Sequence, residues 1–319
     1  MKVAVYGGGA VGLGVASCLL QSGVEVDIVA RSETLFALEQ EGLERIGIFG
    51  KVWFGAEKFG RLTKLKKTDY DFILVCVKSF DTSIVAEEIV RAFRTASRDI
   101  RIVHCQNGWG NEEIFAEKFP RENIFSSRVI TGFRRSLPNS VDITVHAEPI
   151  HLGSLFTENI GGLNPLAKAI NDGGIPCETV FDIEKDLITK LLYNCALNPL
   201  GAIFGVPYGV LGESERTRSL MFRLVEEVFR SLQDRKTHWA TSEEYMQIFY
   251  QKLLPPTSRH ESSMLQDIRA GRKTEIEAIN GAVVRLGLRK GIATPCNAMI
   301  CDMIKFLEEC PALTPLSGR

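Results

Sequence analysis

The sequence has almost no net charge: 38 Lys and Arg against 39 Asp and Glu leave a formal charge of -1 over 319 residues. So balanced a chain lacks the basic face that a nucleic acid or an anionic membrane would require, which points to a small-molecule partner. No Cys-x-x-Cys pair occurs among the eight cysteines, and most stand in apolar surroundings. They read as buried, reduced thiols of a reducing compartment. The five histidines do not cluster at ligand spacing, so no metal is expected. No uninterrupted apolar stretch reaches membrane-spanning length, and the chain opens on a strand rather than on a basic leader with a cleavage site. The expectation is a cytoplasmic protein without a membrane partner. Repeats and low-complexity segments are also missing.

What is present is ordinary globular material, 45% hydrophobic and 24% charged, in a chain long enough for two domains with ample core. The opening, MKVAVYGGGAVGLGVASCLLQSGVEVDIVAR, reads as strand, turn, helix and second strand. Val3 to Tyr6 form the first strand, and Gly7, Gly9 and Gly12 match G-x-G-x-x-G. A helix with apolar Val15, Leu19 and Leu20 stops at Gly23, and Val24 to Ala30 complete the unit. Glycines permit a tight turn and close backbone approach, while the N-H groups of Ala10, Val11 and Gly12 at the helix start suit a pyrophosphate. A plain strand-turn-helix is the alternative.

Where a ribose-binding acid would stand at the end of the second strand, the sequence has Arg31. A guanidinium there matches the 2'-phosphate of NADP(H), whereas a surface arginine is the bland reading. Glu25 and Asp27 are acidic but lie earlier, within the strand. Two continuous apolar runs, DFILVCVKSF and RIVHCQNGWG, read as parallel strands buried on both faces, ending at Lys78 and at Asn107 and Gly108. Ligands collect at the carboxyl ends of such strands, so Lys78 and Asn107 are cofactor-side candidates. A solvated strand end and an Asn-Gly turn are their ordinary readings.

From Gly132 to Gly153 the pattern alternates, which predicts an antiparallel extension of the same sheet. A helix near Leu163 to Asn171 and a strand near Pro176 to Phe181 then close a domain over 1-181. Beyond it strand signals nearly vanish, and 182-319 should be an all-helical domain, with PPTSRH (Pro255 to His260) as its clear loop. In KLLYNCALNP, Lys190, Asn194 and Asn198 stand four apart on one helical face. Asp186 extends the row and favours a solvated face; the poor helix propensity of Asn and the nearby Leu187, Leu191 and Leu197 favour an enclosed one that a polar ligand would satisfy. Farther on, Ser263 followed by Gln266 fits a capping box, and the same hydroxyl could hold a substrate carboxylate. Glu275 sits beside an apolar seam, either as a helix N-terminal acid or paired with something.

GGGAVG, VKSFDT, QNGWGN, KLLYNCALNPL and SSMLQDIRAGRKTEIEAINGAVVRLG, in this order, resemble the ketopantoate reductases (2-dehydropantoate 2-reductases) from Met1 to about Pro295. The resemblance implies an α/β, Rossmann-type parallel-sheet domain followed by an all-helical domain of the 6-phosphogluconate dehydrogenase-like type. It also implies Lys190 as general acid, Asn194 and Asn198 as substrate and cofactor contacts, Ser263 on the substrate carboxylate and Glu275 on its hydroxyl, with Lys78 and Asn107 beside the nicotinamide. Tyr208 and His260 replace asparagines that help hold the substrate in the best-known members. The expected function is NADPH-dependent reduction of ketopantoate by a chain that admits a homodimer, with the row facing a cleft between the domains. The alternatives are the same chemistry on another branched 2-oxo acid, and a noncatalytic NADP(H)-sensing regulator.

Overall fold

A computed structural model of the chain describes residues 1-66, 69-93 and 100-310. It divides into two compact units, one of 1-106 with 111-183, the other of 107-110 with the chain from 184 onward. Asn107, expected within the first domain, clusters here with the second unit.

The first unit alternates strand and helix. In chain order it contains β1 (Lys2-Tyr6), α1 (Ala10-Gln21), β2 (Glu25-Val29), α2 (Ser32-Glu41), β3 (Leu43-Gly47), β4 (Val52-Phe54), β5 (Gly60-Leu62), β6 (Phe72-Val75) and α3 (Thr82-Phe93). It continues through β7 (Arg101-His104), α4 (Asn111-Ala116), β8 (Ile124-Arg128), β9 (Thr131-Leu137), β10 (Ser140-His146), β11 (Ile150-Gly153), α5 (Asn164-Asp172) and β12 (Cys177-Thr179). The main sheet has eight strands in the order β12-β11-β8-β7-β6-β1-β2-β5. Its centre is parallel throughout, with Val3 opposite both Val26 and Phe72.

Both faces of that sheet are covered, which is why its strands read as unbroken apolar runs. Val3 and Val5 point into a core shared with Leu13 and Leu19 of α1 and Leu166 of α5. Ala4 and Ile73 point the other way, toward Val85 and Ile89 of α3 and Phe115 of α4. This is the Rossmann-like arrangement expected.

The stretch from 132 to 153 departs from expectation. Only β11 extends the main sheet, antiparallel to β8. The β9-β10 hairpin instead joins β3 and β4 in a second sheet, ordered β4-β3-β10-β9. Alternation announces a strand with one buried face but does not say which layer buries it. Here Val141 and Ile143 bury theirs in the core they share with α1.

The second unit is helical: α6 (Ile183-Phe204), α7 (Tyr208-Glu213), α8 (Glu215-Ser231), α9 (Ser242-Ile248), α10 (Ser263-Arg269), α11 (Asn280-Lys290) and α12 (Pro295-Glu309). Ile188, Leu191, Leu192, Cys195, Ala196 and Leu200 bury α6 nearly all round, as befits a central helix. Among the described residues α6 is the one helix long and apolar enough to cross a membrane, and 72% of its most apolar window is buried inside the fold. That burial is the state of a core helix. The segment PPTSRH contains a short 3-10 turn over Pro255-Thr257.

Candidate functional site

The turn after β1 is closed on three sides and open on one. A Cβ at Gly12 would lie 1.9 Å from the Gly7 carbonyl oxygen, one at Gly7 would meet the Cys76 backbone at 2.8 Å, and one at Gly8 would meet Ala30 and Thr34 at 2.7 Å. At Gly9 a Cβ would meet nothing within 4 Å. Three glycines therefore serve packing, and Gly9 leaves the backbone bare toward solvent. Gly9 also caps α1 without a side-chain bond, and no acid stands in the first turn. The first N-H groups of a helix have no intrahelical acceptor, so Ala10, Val11 and Gly12 present donors beside that open space. The residues fit a dinucleotide pyrophosphate.

Arg31 occupies the N-cap position of α2, just beyond the end of β2. Its side chain is 89% exposed and pairs with Asp81 at 3.3 Å. The acids within the strand are already engaged: Asp27 accepts from the Tyr70 hydroxyl at 2.5 Å, and Glu25 pairs with Lys2 at 2.5 Å. Neither is presented to a ribose. Lys78 follows β6 at its carboxyl end, half-buried, at the start of a 3-10 turn over Ser79-Asp81.

In the second unit the row on α6 runs from half-buried to buried: Lys190 is half-buried, Asn194 is 9% exposed and Asn198 3%. A solvated face would show the opposite. Among the described residues nothing hydrogen-bonds the Asn194 amide, so a nearly buried donor and acceptor is left for a ligand.

Two bonds fix this helix where it carries the row. Pro199 lies inside α6 and has no N-H, which removes the helical donor for the Cys195 carbonyl. Asn280, fully buried at the start of α11, supplies it: its Nδ2 donates to the Cys195 oxygen at 3.2 Å and to Asn297 Oδ1 at 2.9 Å. One turn on, Ser262 Oγ donates to the Asn198 carbonyl at 3.2 Å. Ser262 also caps α10, accepting from the Leu265 N-H at 3.0 Å. The expected cap at Ser263 is thus corrected by one residue. The hydroxyl three positions before a free N-H takes the cap, which leaves Ser263 as the first, exposed residue of the helix.

Glu275 is 6% exposed and lies in the turn before α11, not in a helical first turn. Its Oε2 accepts from Asn107 Nδ2 at 3.0 Å. The loop 107-110 is pinned there by its backbone: Trp109 N-H donates to the Ala278 oxygen at 2.9 Å. Gly108 has φ +94°, and a Cβ on it would lie 2.3 Å from that same oxygen. The Asn-Gly pair is thus a docking turn that delivers Asn107 to Glu275. Tyr208, the first residue of α7, is buried and donates its phenol to Asn198 Oδ1 at 2.7 Å. Its ring meets His260 edge-on at 5.3 Å. Burial pushes the Tyr208 phenol well above its ordinary range and His260 below its own, so both are neutral near pH 7.

Asn280, Ser262 and the Trp109 backbone escaped sequence reasoning. Pro199 inside an apolar helix was the available signal for the first, since it demands a donor from elsewhere.

Residues 3-155 match the ketopantoate reductase PanE/ApbA family, and residues 182-308 match the ketopantoate reductase PanE/ApbA C-terminal family. A 2-dehydropantoate 2-reductase of Aquifex aeolicus is 35% identical over 97% of this chain and 97% of its own length. The crystal structure of a PanE/ApbA family ketopantoate reductase from Ralstonia eutropha superposes with a TM-score of 0.85 at 27% identity, covering 98% of this chain and all of its own. D-mandelate dehydrogenase, solved with NADH and anilino(oxo)acetate, reaches a TM-score of 0.87 at 24% identity over 98% of this chain and 99% of its own, a likeness of fold alone.

Proposed function

Because the chain belongs to the ketopantoate reductase PanE/ApbA family, we propose that it reduces ketopantoate to pantoate with NADPH, Lys190 acting as general acid. The observation that carries this reading is the buried, ligand-ready row on α6, in which Asn194 lacks a protein partner among the described residues. When bound, the nicotinamide supplies a hydride to C2 of the 2-oxo acid. The C2 oxygen then gains the electron pair of the carbonyl π bond, and the Lys190 ammonium neutralises that charge and delivers the proton that makes it a hydroxyl. Such electrostatic and acid assistance is worth about 10²- to 10⁴-fold in rate. Asn194 offers its free amide to the bound acid one turn from the ammonium, without adding a charge that would cancel it. Ser263 receives the substrate carboxylate, and Glu275, held by Asn107, receives its hydroxyl. Arg31 supplies the preference for NADPH, exchanging Asp81 for the 2'-phosphate.

A second reading, the same chemistry on another branched 2-oxo acid, is favoured by the aromatic pair Tyr208 and His260. NADPH and NADH oxidation against a panel of 2-oxo acids tests both. The first reading expects the highest kcat/KM with ketopantoate and NADPH. A faster branched acid would replace the substrate, and no oxidation with any acid would reject the function.

A further inference from the structure

Asn198 has two faces of opposite polarity, and only one is used within the fold. Its Oδ1 accepts from the Tyr208 phenol at 2.7 Å, while among the described residues nothing accepts from its Nδ2. An amide can turn over and present either atom, and a phenol, a better donor than acceptor, favours the orientation in which it meets Oδ1, as it does here. A 2-oxo acid presents only acceptors at its carboxylate and carbonyl. It would be drawn to Nδ2 and repelled by Oδ1.

The phenol is well placed to make that decision. Tyr208 N-H donates to the His260 oxygen at 3.1 Å, and Gly209 N-H donates to the Ser258 oxygen at 2.8 Å, stitching the start of α7 to the 258-260 loop. The ring is flanked by His260 at 5.3 Å and by Tyr193 at 5.8 Å, both edge-on. Tyr193 is itself tied by its hydroxyl to Thr257. The hydroxyl of Tyr208 is therefore delivered to one point by an aromatic packing arrangement that leaves it little freedom. Burial keeps it protonated and able to donate.

We propose, resting on the 2-oxo acid reading above, that Tyr208 is a positioning residue which locks the Asn198 amide with Nδ2 turned toward the acid. The residue thereby fixes the polarity of the inner end of the row: a donor beyond the Asn194 amide and the Lys190 ammonium. This differs from a substrate contact. Tyr208 spends its hydroxyl on Asn198 and acts on the acid through it.

A double-mutant cycle on the full chain tests the proposal, with steady-state kinetics using NADPH and the fastest 2-oxo acid. Tyr208→Phe keeps the ring and loses the hydroxyl; it should raise the KM of the acid by about tenfold, the value of one hydrogen bond, with kcat and the KM of NADPH little changed. In an Asn198→Ala background the same change should add less than about twofold, because coupled residues fail to add. Asn198→Asp keeps an acceptor for the phenol but replaces the donor, and should raise the KM of the acid more than Asn198→Ala does. Losses that multiply in the double variant, or an unchanged KM in Tyr208→Phe, overturn the proposal. A KM rise in Tyr208→Phe accompanied by a lower unfolding temperature, and equal in both backgrounds, would make Tyr208 merely structural. Wild-type protein that reduces no 2-oxo acid would instead sink the functional reading and the inference with it, a result distinct from failure of the cycle alone.

Discussion

The glycine turn of the first unit and the α6 row of the second, proposed to take the nucleotide and the acid, are built in opposite ways. In the first, the groups offered to a ligand are backbone N-H donors, and what makes the place is the absence of side chains at Gly7, Gly8, Gly9 and Gly12, with Gly9 alone open to solvent. In the second, the candidate groups are side chains, and some are held by other side chains: Asn107 by Glu275 and Asn198 by Tyr208, while Asn280 holds the Cys195 carbonyl of α6. A backbone site tolerates little change at its glycines but needs no distant partner. A side-chain site depends on long-range packing, and a substitution far along the chain can disturb it.

Substitution at the turn probes the first half most sharply. Gly9→Ala adds a methyl where the protein has room, at a φ of -82° that alanine adopts, so fold stability should change by less than about 1 kcal/mol. NADPH affinity should nevertheless drop by roughly 2 to 3 kcal/mol, since the methyl stands where the pyrophosphate would lie. Gly12→Ala, with its Cβ 1.9 Å from the Gly7 oxygen, should lose stability and affinity together. Calorimetric unfolding alongside titration separates the two. Equal behaviour of both variants would mean that Gly9 does not face the ligand.

The cofactor preference should follow the single charge at the end of β2. Arg31→Asp should weaken NADPH binding by about 1.5 to 3 kcal/mol and NADH binding far less, measured by fluorescence titration. Parallel losses for the two nucleotides would remove Arg31 as the selector.

In the second unit, the distant support should show as stability. Asn280→Ala leaves the Cys195 carbonyl and Asn297 Oδ1 without their donor and should cost about 1 to 3 kcal/mol in denaturant unfolding. Ser262→Ala should cost about 1 kcal/mol as a lost cap, whereas Ser263→Ala should leave stability unchanged and raise the KM of the acid. A stability loss at Ser263 rather than at Ser262 would restore the sequence-based cap.

The same contrast explains what could be read from the sequence. The turn of Gly7, Gly9 and Gly12 was legible because backbone constraints are local: strand, glycines and helix lie within one unit of chain. The row of Lys190, Asn194 and Asn198 was legible as a spacing, but its burial was not, because solvent is excluded by residues far away in sequence. Ser262 and Ser263 are adjacent and chemically identical, so only the Leu265 N-H distinguishes them. The Asn107-Gly108 pair looked like an ordinary turn because its partner, Ala278, is 170 residues farther on. The layer that buries the β9-β10 hairpin was hidden for the same reason.

If the first unit holds the nucleotide and the second supplies the proton, loss of Lys190 should separate the two tasks. Turnover and NADPH binding of Lys190→Ala, measured on the same preparation, test it most directly. Expected is a fall in kcat of about 10²-fold or more with the dissociation constant of NADPH unchanged, because a proton donor is needed only as charge develops on oxygen. Retained kcat would remove Lys190 as proton donor and return the row on α6 to a structural role.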